Sequence, residues 1–165
     1  MRAGEGSRAR DWWPKRRKWP FGCPIRRSFV EASVEFVVVG GFAVAVHGEP
    51  RFTADIDVFV RSSKENARRV RAALAEFGFG DVKWAPDEFG RPDCTVMLGR
   101  KPLRIDILTG ISGVDFESAH AGRTPVDIAG VAVPFIGRSE LIANKLASGR
   151  PKDLADLETL GVEPE

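Results

Sequence analysis

VEFVVVGGFAVAVHGEPRFTADIDVFV, residues Val34 to Val60, contains two apolar runs separated by a glycine pair and a short segment. Val34–Val39 is an apolar run of strand length, interrupted only by Glu35, which predicts a buried strand. Gly40-Gly41 follows directly, and Phe42 to His47 is rich enough in Ala and Val for a two-turn helix, with Gly48 as its left-handed C-cap. From Asp55 to Val60 the pattern alternates. Asp55, Asp57 and Phe59 share one face of a strand, while Ile56, Val58 and Val60 share the other.

On the N-terminal side, residues 1–24 hold Trp12-Trp13-Pro14 and Lys15-Arg16-Arg17-Lys18 without helical or strand period. Up to Arg27, nine cations face two anions, so this part carries +7 and the rest −5 within an overall charge of +2. The composition predicts a basic, disordered arm. Its functional alternative is contact with nucleic acid, through cations on phosphate and indoles on bases. Residues 25–165 are expected to form the domain, opening with a short helix over Ile25–Ser33.

On the C-terminal side, Ser62 with Glu65 fits a capping box, and Ala67, Val70, Leu74 and Phe77 recur at helical spacing until Gly78. A strand is expected near Phe79–Trp84. Cys94–Gly99 and Leu103–Leu108 predict a hairpin turning at Arg100-Lys101-Pro102. In its second strand Leu103, Ile105 and Ile107 face one way, and Arg104 and Asp106 the other. If that strand lies beside Asp55–Asp57, three carboxylates converge. Thr124–Ile136 offers two short strands broken at Ala129-Gly130. Ser139 is expected to cap a helix running through Leu146 and ended by Gly149, and Pro151 suits the first turn of a last helix carrying Leu154, Leu157 and Leu160. Lys145, Arg150 and Lys152 cluster near the junction of these two helices. The fold expected is α/β (α+β): a mixed, largely antiparallel sheet with helices packed on one face and a short C-terminal helix pair.

Composition narrows the function. A chain of 165 residues suits one domain, and 43% apolar with 29% charged residues suits a globular one. No apolar run approaches the roughly 20 residues of a membrane span, and the N-terminus lacks the apolar core of a signal peptide. No membrane partner and a cytoplasmic location are therefore expected. Cys23 and Cys94 are too few and too far apart for a disulfide framework or a zinc site. His47 and His120 stand alone, which argues against zinc hydrolysis, and His47 reads as a helix-end packing residue. No nucleophile elbow and no Walker pattern is present. Phosphoaspartate chemistry typically places its aspartates at the end of an apolar strand, whereas here the apolar residues follow them.

What remains is chemistry at phosphorus. Clustered carboxylates suit Mg²⁺, which binds through a few oxygens plus substrate phosphates, and two such ions can stabilise both oxygens of an in-line displacement. A glycine turn opening a helix presents backbone N–H groups to an anion.

The segment VVVGGFAVAVHGEPRFTADIDVFV resembles the signature of the DNA polymerase beta-like nucleotidyltransferase superfamily, Gly-Gly followed by Asp-x-Asp, in its minimal prokaryotic form. Together with ELIANKLASGRPKDLADLETL it is similar to the small nucleotidyltransferases of the abortive-infection and toxin–antitoxin type. The likeness covers Val34 to Leu160. It implies an NTP substrate bound by Gly40 and Gly41, two Mg²⁺ ions (or Mn²⁺) held by Asp55 and Asp57, and Asp106 ligating one ion and helping to activate an acceptor hydroxyl. It further implies Arg51 and Thr53 at the nucleotide, and Lys145, Arg150 and Lys152 against phosphate, with surface pairing to Asp153 and Asp156 as the alternative for Arg150 and Lys152. The acceptor it implies is RNA or tRNA, a protein side chain or a small molecule, in a toxin–antitoxin or phage-defence setting with an antitoxin partner. The alternative is a non-catalytic nucleotide- or partner-binding protein on the same fold. The presence of all three aspartates argues against it.

Overall fold

The computed structural model describes residues 24–50, 53–100 and 103–163. The expectations for the basic arm and for Arg51 lie outside the described residues. The chain runs α1 (Pro24–Glu31), β1 (Phe36–Val39), α2 (Gly40–His47), β2 (Asp55–Val60), α3 (Lys64–Leu74), β3 (Thr95–Arg100), β4 (Leu103–Leu108), α4 (Phe116–Ala121), β5 (Thr124–Ile128), β6 (Val131–Phe135), α5 (Arg138–Ser148) and α6 (Pro151–Thr159). The strands form one sheet in the order β3-β4-β2-β1-β6-β5. It is mixed and largely antiparallel, as expected: β2–β4 and β1–β6 are parallel, and the other three pairs antiparallel.

The apolar run before the glycines becomes β1, with all four residues buried. The apolar face predicted for β2 and β4 is inside, with Ile56, Val58, Val60, Ile105 and Ile107 all buried, and the opposite face is covered as well at Phe59 and Asp106. Each such apolar side chain removed from water contributes about 1.5–3 kcal/mol. Phe29 of α1 meets Phe36 of β1 edge-on at 5.4 Å, and Phe116 of α4 meets Phe59 of β2 edge-on at 5.2 Å. The β5–β6 hairpin turns where expected, on Ala129 (φ 53°) and Gly130 (φ 81°). Two successive left-handed residues match the twist of the flanking strands.

Four local expectations change. The cap of α3 is Ser63, not Ser62: its hydroxyl accepts from the Asn66 amide at 3.1 Å. Asn66 itself is buried, and its side chain accepts from Glu35 N and donates to the carbonyls of Glu35 and Arg61. This ties α3 to the end of the β1–β2 pair where β1 begins and β2 stops. No strand forms at Phe79–Trp84. The helix passes into a wider turn over Ala75–Phe79, with Gly78 at φ 117°, and the aromatics serve packing, Phe77 on Phe79 and Trp84 on Phe89.

Gly48 is extended (φ −144°) rather than left-handed. It is small because a Cβ there would lie 2.9 Å from the Thr159 carbonyl at the end of α6. Helix α5 begins at Arg138 after Gly137, with no side-chain cap, so Ser139 sits inside its first turn. Gly149 (φ 61°) closes α5, and Pro151 opens α6, both as expected. Leu157 and Leu160 are buried, whereas Leu154 is exposed. Among the described residues no helix is long and apolar enough to cross a membrane.

Candidate active site

Strand β2 lies near the middle of the sheet, between β1 and β4, and this placement brings the singled-out residues together. In the parallel β2–β4 pair, Asp57 stands opposite Asp106 and Asp55 opposite Arg104. On the other side, Val39, the last residue before the glycines, stands opposite Asp57. The three aspartates therefore share one face, joined by the start of α2.

Gly40 has φ +67°, and a Cβ built on it would overlap the Asp57 carboxylate, whose Cγ would lie 2.9 Å away. The glycine is required twice, by its left-handed backbone and by the acid lying against it. The N-cap of α2 is Val39, which has no side-chain hydrogen bond to offer. The backbone N–H groups of this helix start are therefore not taken up by a capping side chain from Val39.

The electrostatics are those of a crowded acidic site. Burial, and then the charge of Asp106, push the Asp57 carboxyl up to about 6, with Asp55 adding to the rise and Lys152 and Lys145 opposing it. Asp106 is 7% exposed. Asp55 Oδ1 is buried with no hydrogen-bond partner among the described residues. Three carboxylates on adjacent strands, one with an orphaned oxygen, have the donor chemistry of a hard divalent cation. As they stand, no three acidic, imidazole or thiolate groups among the described residues are arranged to hold a metal ion.

Arg104 lies among these carboxylates. Its Nε donates to Asp106 Oδ1 at 2.8 Å and its Nη2 to Asp106 Oδ2 at 2.9 Å, while the same Nη2 pairs with Asp55 Oδ2 at 3.0 Å. Sequence reasoning placed Arg104 on the face of Asp106 and assigned it no role. The signal was present in the Arg-x-Asp spacing, which puts both side chains on one side of a strand.

The basic cluster divides. Lys145 is 3% exposed, and its ammonium is held by Asp153 and Asp156, each at 2.8 Å. Arg150 forks onto Asp153, with Nε to Oδ2 at 2.7 Å. Burial pushes the Asp153 carboxyl up, but the hydrogen bonds from Arg150 and Lys145 outweigh it and hold the acid down at about 2. These two cations brace the α5–α6 junction. Lys152 is exposed, makes no ion pair with a described residue, and its charge is felt at Asp57. Thr53 donates its hydroxyl to the Asp55 carbonyl at 3.3 Å, steadying the entry to β2. His47 donates from Nε2 to the Ile136 carbonyl at 2.7 Å, the packing role its position suggested.

The fold has known counterparts. A protein of Thermotoga maritima described as a nucleotidyltransferase superposes with a TM-score of 0.56 at 20% identity, over 81% of this chain and 86% of that one. An antigenic nucleotidyltransferase-like protein of Paracoccidioides brasiliensis gives 0.52 at 16% identity, over 82% and 70%. The antibiotic-resistance factor ANT(2'')-Ia gives 0.51 at 13% identity, over 82% and 78%. At these identities the likeness is one of fold: this is a nucleotidyltransferase fold. No curated protein matches the chain in sequence. Residues 28–163 match the family model described as "Nucleotidyltransferase of unknown function (DUF6036)", and the chain belongs to that family. It is accordingly a transferase of nucleotidyl groups.

Proposed function

We propose that the protein transfers a nucleoside monophosphate from an NTP to a hydroxyl acceptor, with Mg²⁺, releasing pyrophosphate. The observation that carries this reading is the register of β2 and β4, which sets Asp57 opposite Asp106 with Asp55 on the same face and Gly40 against Asp57.

In this reading Asp55, Asp57 and Asp106 hold the divalent ions. The ions supply charge neutralisation at the reacting phosphate and its leaving oxygens. Gly40, Gly41 and the uncapped start of α2 receive the triphosphate through backbone N–H groups, and Lys152 adds a mobile positive charge near it. Asp106 takes the proton of the acceptor hydroxyl as its oxygen bonds to the α-phosphorus. The bond from that phosphorus to the bridging oxygen breaks, and pyrophosphate leaves. Thr53 fixes the backbone from which Asp55 projects. The acceptor is an RNA or tRNA, a protein or a small molecule, within a toxin–antitoxin or phage-defence role.

The test is to incubate the protein with each α-labelled NTP, Mg²⁺ and either total RNA or cell lysate. Label is expected in one acceptor class, and is expected to disappear in Asp57→Asn protein or with chelator. If the protein labels nothing and Asp57→Asn behaves identically in cells, the reading is wrong.

A further inference from the structure

The carboxylates that this reading assigns to the metal already hold a cation, and it belongs to the chain. Both oxygens of Asp106 accept from the Arg104 fork, and the same guanidinium reaches the oxygen of Asp55 that is not buried without a partner. A guanidinium is charged at any working pH and matches two carboxylate oxygens at once. A divalent ion coordinating these oxygens at about 2.0–2.1 Å would share them with a like charge. The two cations therefore compete.

The surroundings give the guanidinium somewhere to go. On β3 the position opposite Arg104 is Gly99, which puts no side chain beside it. The Arg104 side chain is 26% exposed and not sealed in. Two residues along β3, Met97 stands opposite Asp106 and is 57% exposed, so this flank of the sheet is open to solvent.

We propose that Arg104 is the resident cation of the metal-free site, displaced by the divalent ion and then bound to a phosphate of the nucleotide. The proposal rests on Asp55, Asp57 and Asp106 being metal ligands. Its thermodynamic consequence is coupling. Metal alone must break the arginine's ion pairs without replacing them, whereas metal with a triphosphate offers the guanidinium a new anionic partner. Nucleotide then raises metal affinity, and metal raises nucleotide affinity by the same factor.

The test is Mn²⁺ binding, read by electron paramagnetic resonance, with and without a non-hydrolysable NTP analogue, in the wild type, Arg104→Met and Arg104→Gln. Thermal melts establish that each variant is folded, and Gln keeps hydrogen-bonding capacity should Met not fold. Without nucleotide, the variants are expected to bind Mn²⁺ about tenfold more tightly than the wild type, and the enhancement by the analogue is expected to shrink about tenfold. Equal Mn²⁺ affinity in wild type and both variants, lost in Asp57→Asn, overturns the role of Arg104 and leaves the metal reading standing. Absence of Mn²⁺ binding in wild type and both variants, with the analogue present, overturns the metal reading and this proposal together.

Discussion

The carboxylate of Asp57 lies where a side chain at position 40 would have to be, so the glycine turn and the acid form one packed unit rather than two neighbouring motifs. Gly40→Ala is therefore expected to strain a φ of +67° and push the acid aside. Melting should show a loss of about 1–3 kcal/mol. Label transfer should fall by at least about 100-fold, since small displacements of a reacting group are amplified in rate. Wild-type transfer by Gly40→Ala would detach the turn from the chemistry.

Asp57 makes the metal-free fold pH-sensitive. Its folded value, about 6, lies above the ordinary 3.8, so the folded chain holds the proton more tightly than the unfolded one. Its contribution is fully favourable below the unfolded value and is lost as pH rises through 6, on the order of 3 kcal/mol. In chelator, Asp57→Asn should melt above the wild type at pH 7.5, with the gap closing near pH 4, although the variant transfers no label. A gap that does not change with pH would contradict this.

Lys145 and Lys152 should separate cleanly although they were read as one cluster. Lys145→Met takes the shared ammonium from two buried acids, leaving Asp153 to Arg150, and breaking such a buried pair costs about 3–5 kcal/mol. Urea unfolding should show it directly.

Lys152→Ala should leave stability within about 0.5 kcal/mol, as exposed substitutions do. It should raise the KM for NTP about tenfold, the size of a lost hydrogen bond to a charged group. An unchanged KM would remove Lys152 from the phosphate site.

The α5–α6 junction predicts an acid limit. Asp153, held at about 2 against an ordinary 3.8, contributes stability that is present above the unfolded value and lost as pH falls toward 2. The melting temperature of wild type should drop between pH 4 and 2 more steeply than that of Asp153→Asn.

Much of this was legible in the chain because period-two alternation records which side chains share a face. Asp55 with Asp57, and Arg104 with Asp106, were each correctly grouped on one side of a strand. What alternation does not carry is register between strands distant in sequence. That Asp57 meets Asp106, and that Asp55 meets Arg104, depends on how the intervening chain returns, and so the arginine's ion pair with Asp55 was not foreseen, whereas its pair with Asp106 lay within one strand and was legible in the spacing. Phe79 and Trp84 misled for a different reason: aromatics favour strands but serve equally as packing in a turn, as Trp84 does on Phe89. The glycine at 48 could be recognised as required, but not why, since its constraint comes from Thr159 at the far end of the domain.

The parallel pairing of β2 with β4 has a kinetic side. Parallel neighbours cannot be joined by a tight turn, and residues 61–102, holding α3 and β3, must be laid down before β4 can dock. Contacts between residues so far apart in sequence form slowly, because loop closure must precede them. The antiparallel β1–β2 pair, closer in sequence, is expected to bring Gly40 to Asp57 before Asp106 docks with β4. If Asp106 serves as proposed, nucleotidyl transfer requires the fully assembled sheet, and a nascent or nicked chain that has built only the glycine turn is expected to be silent.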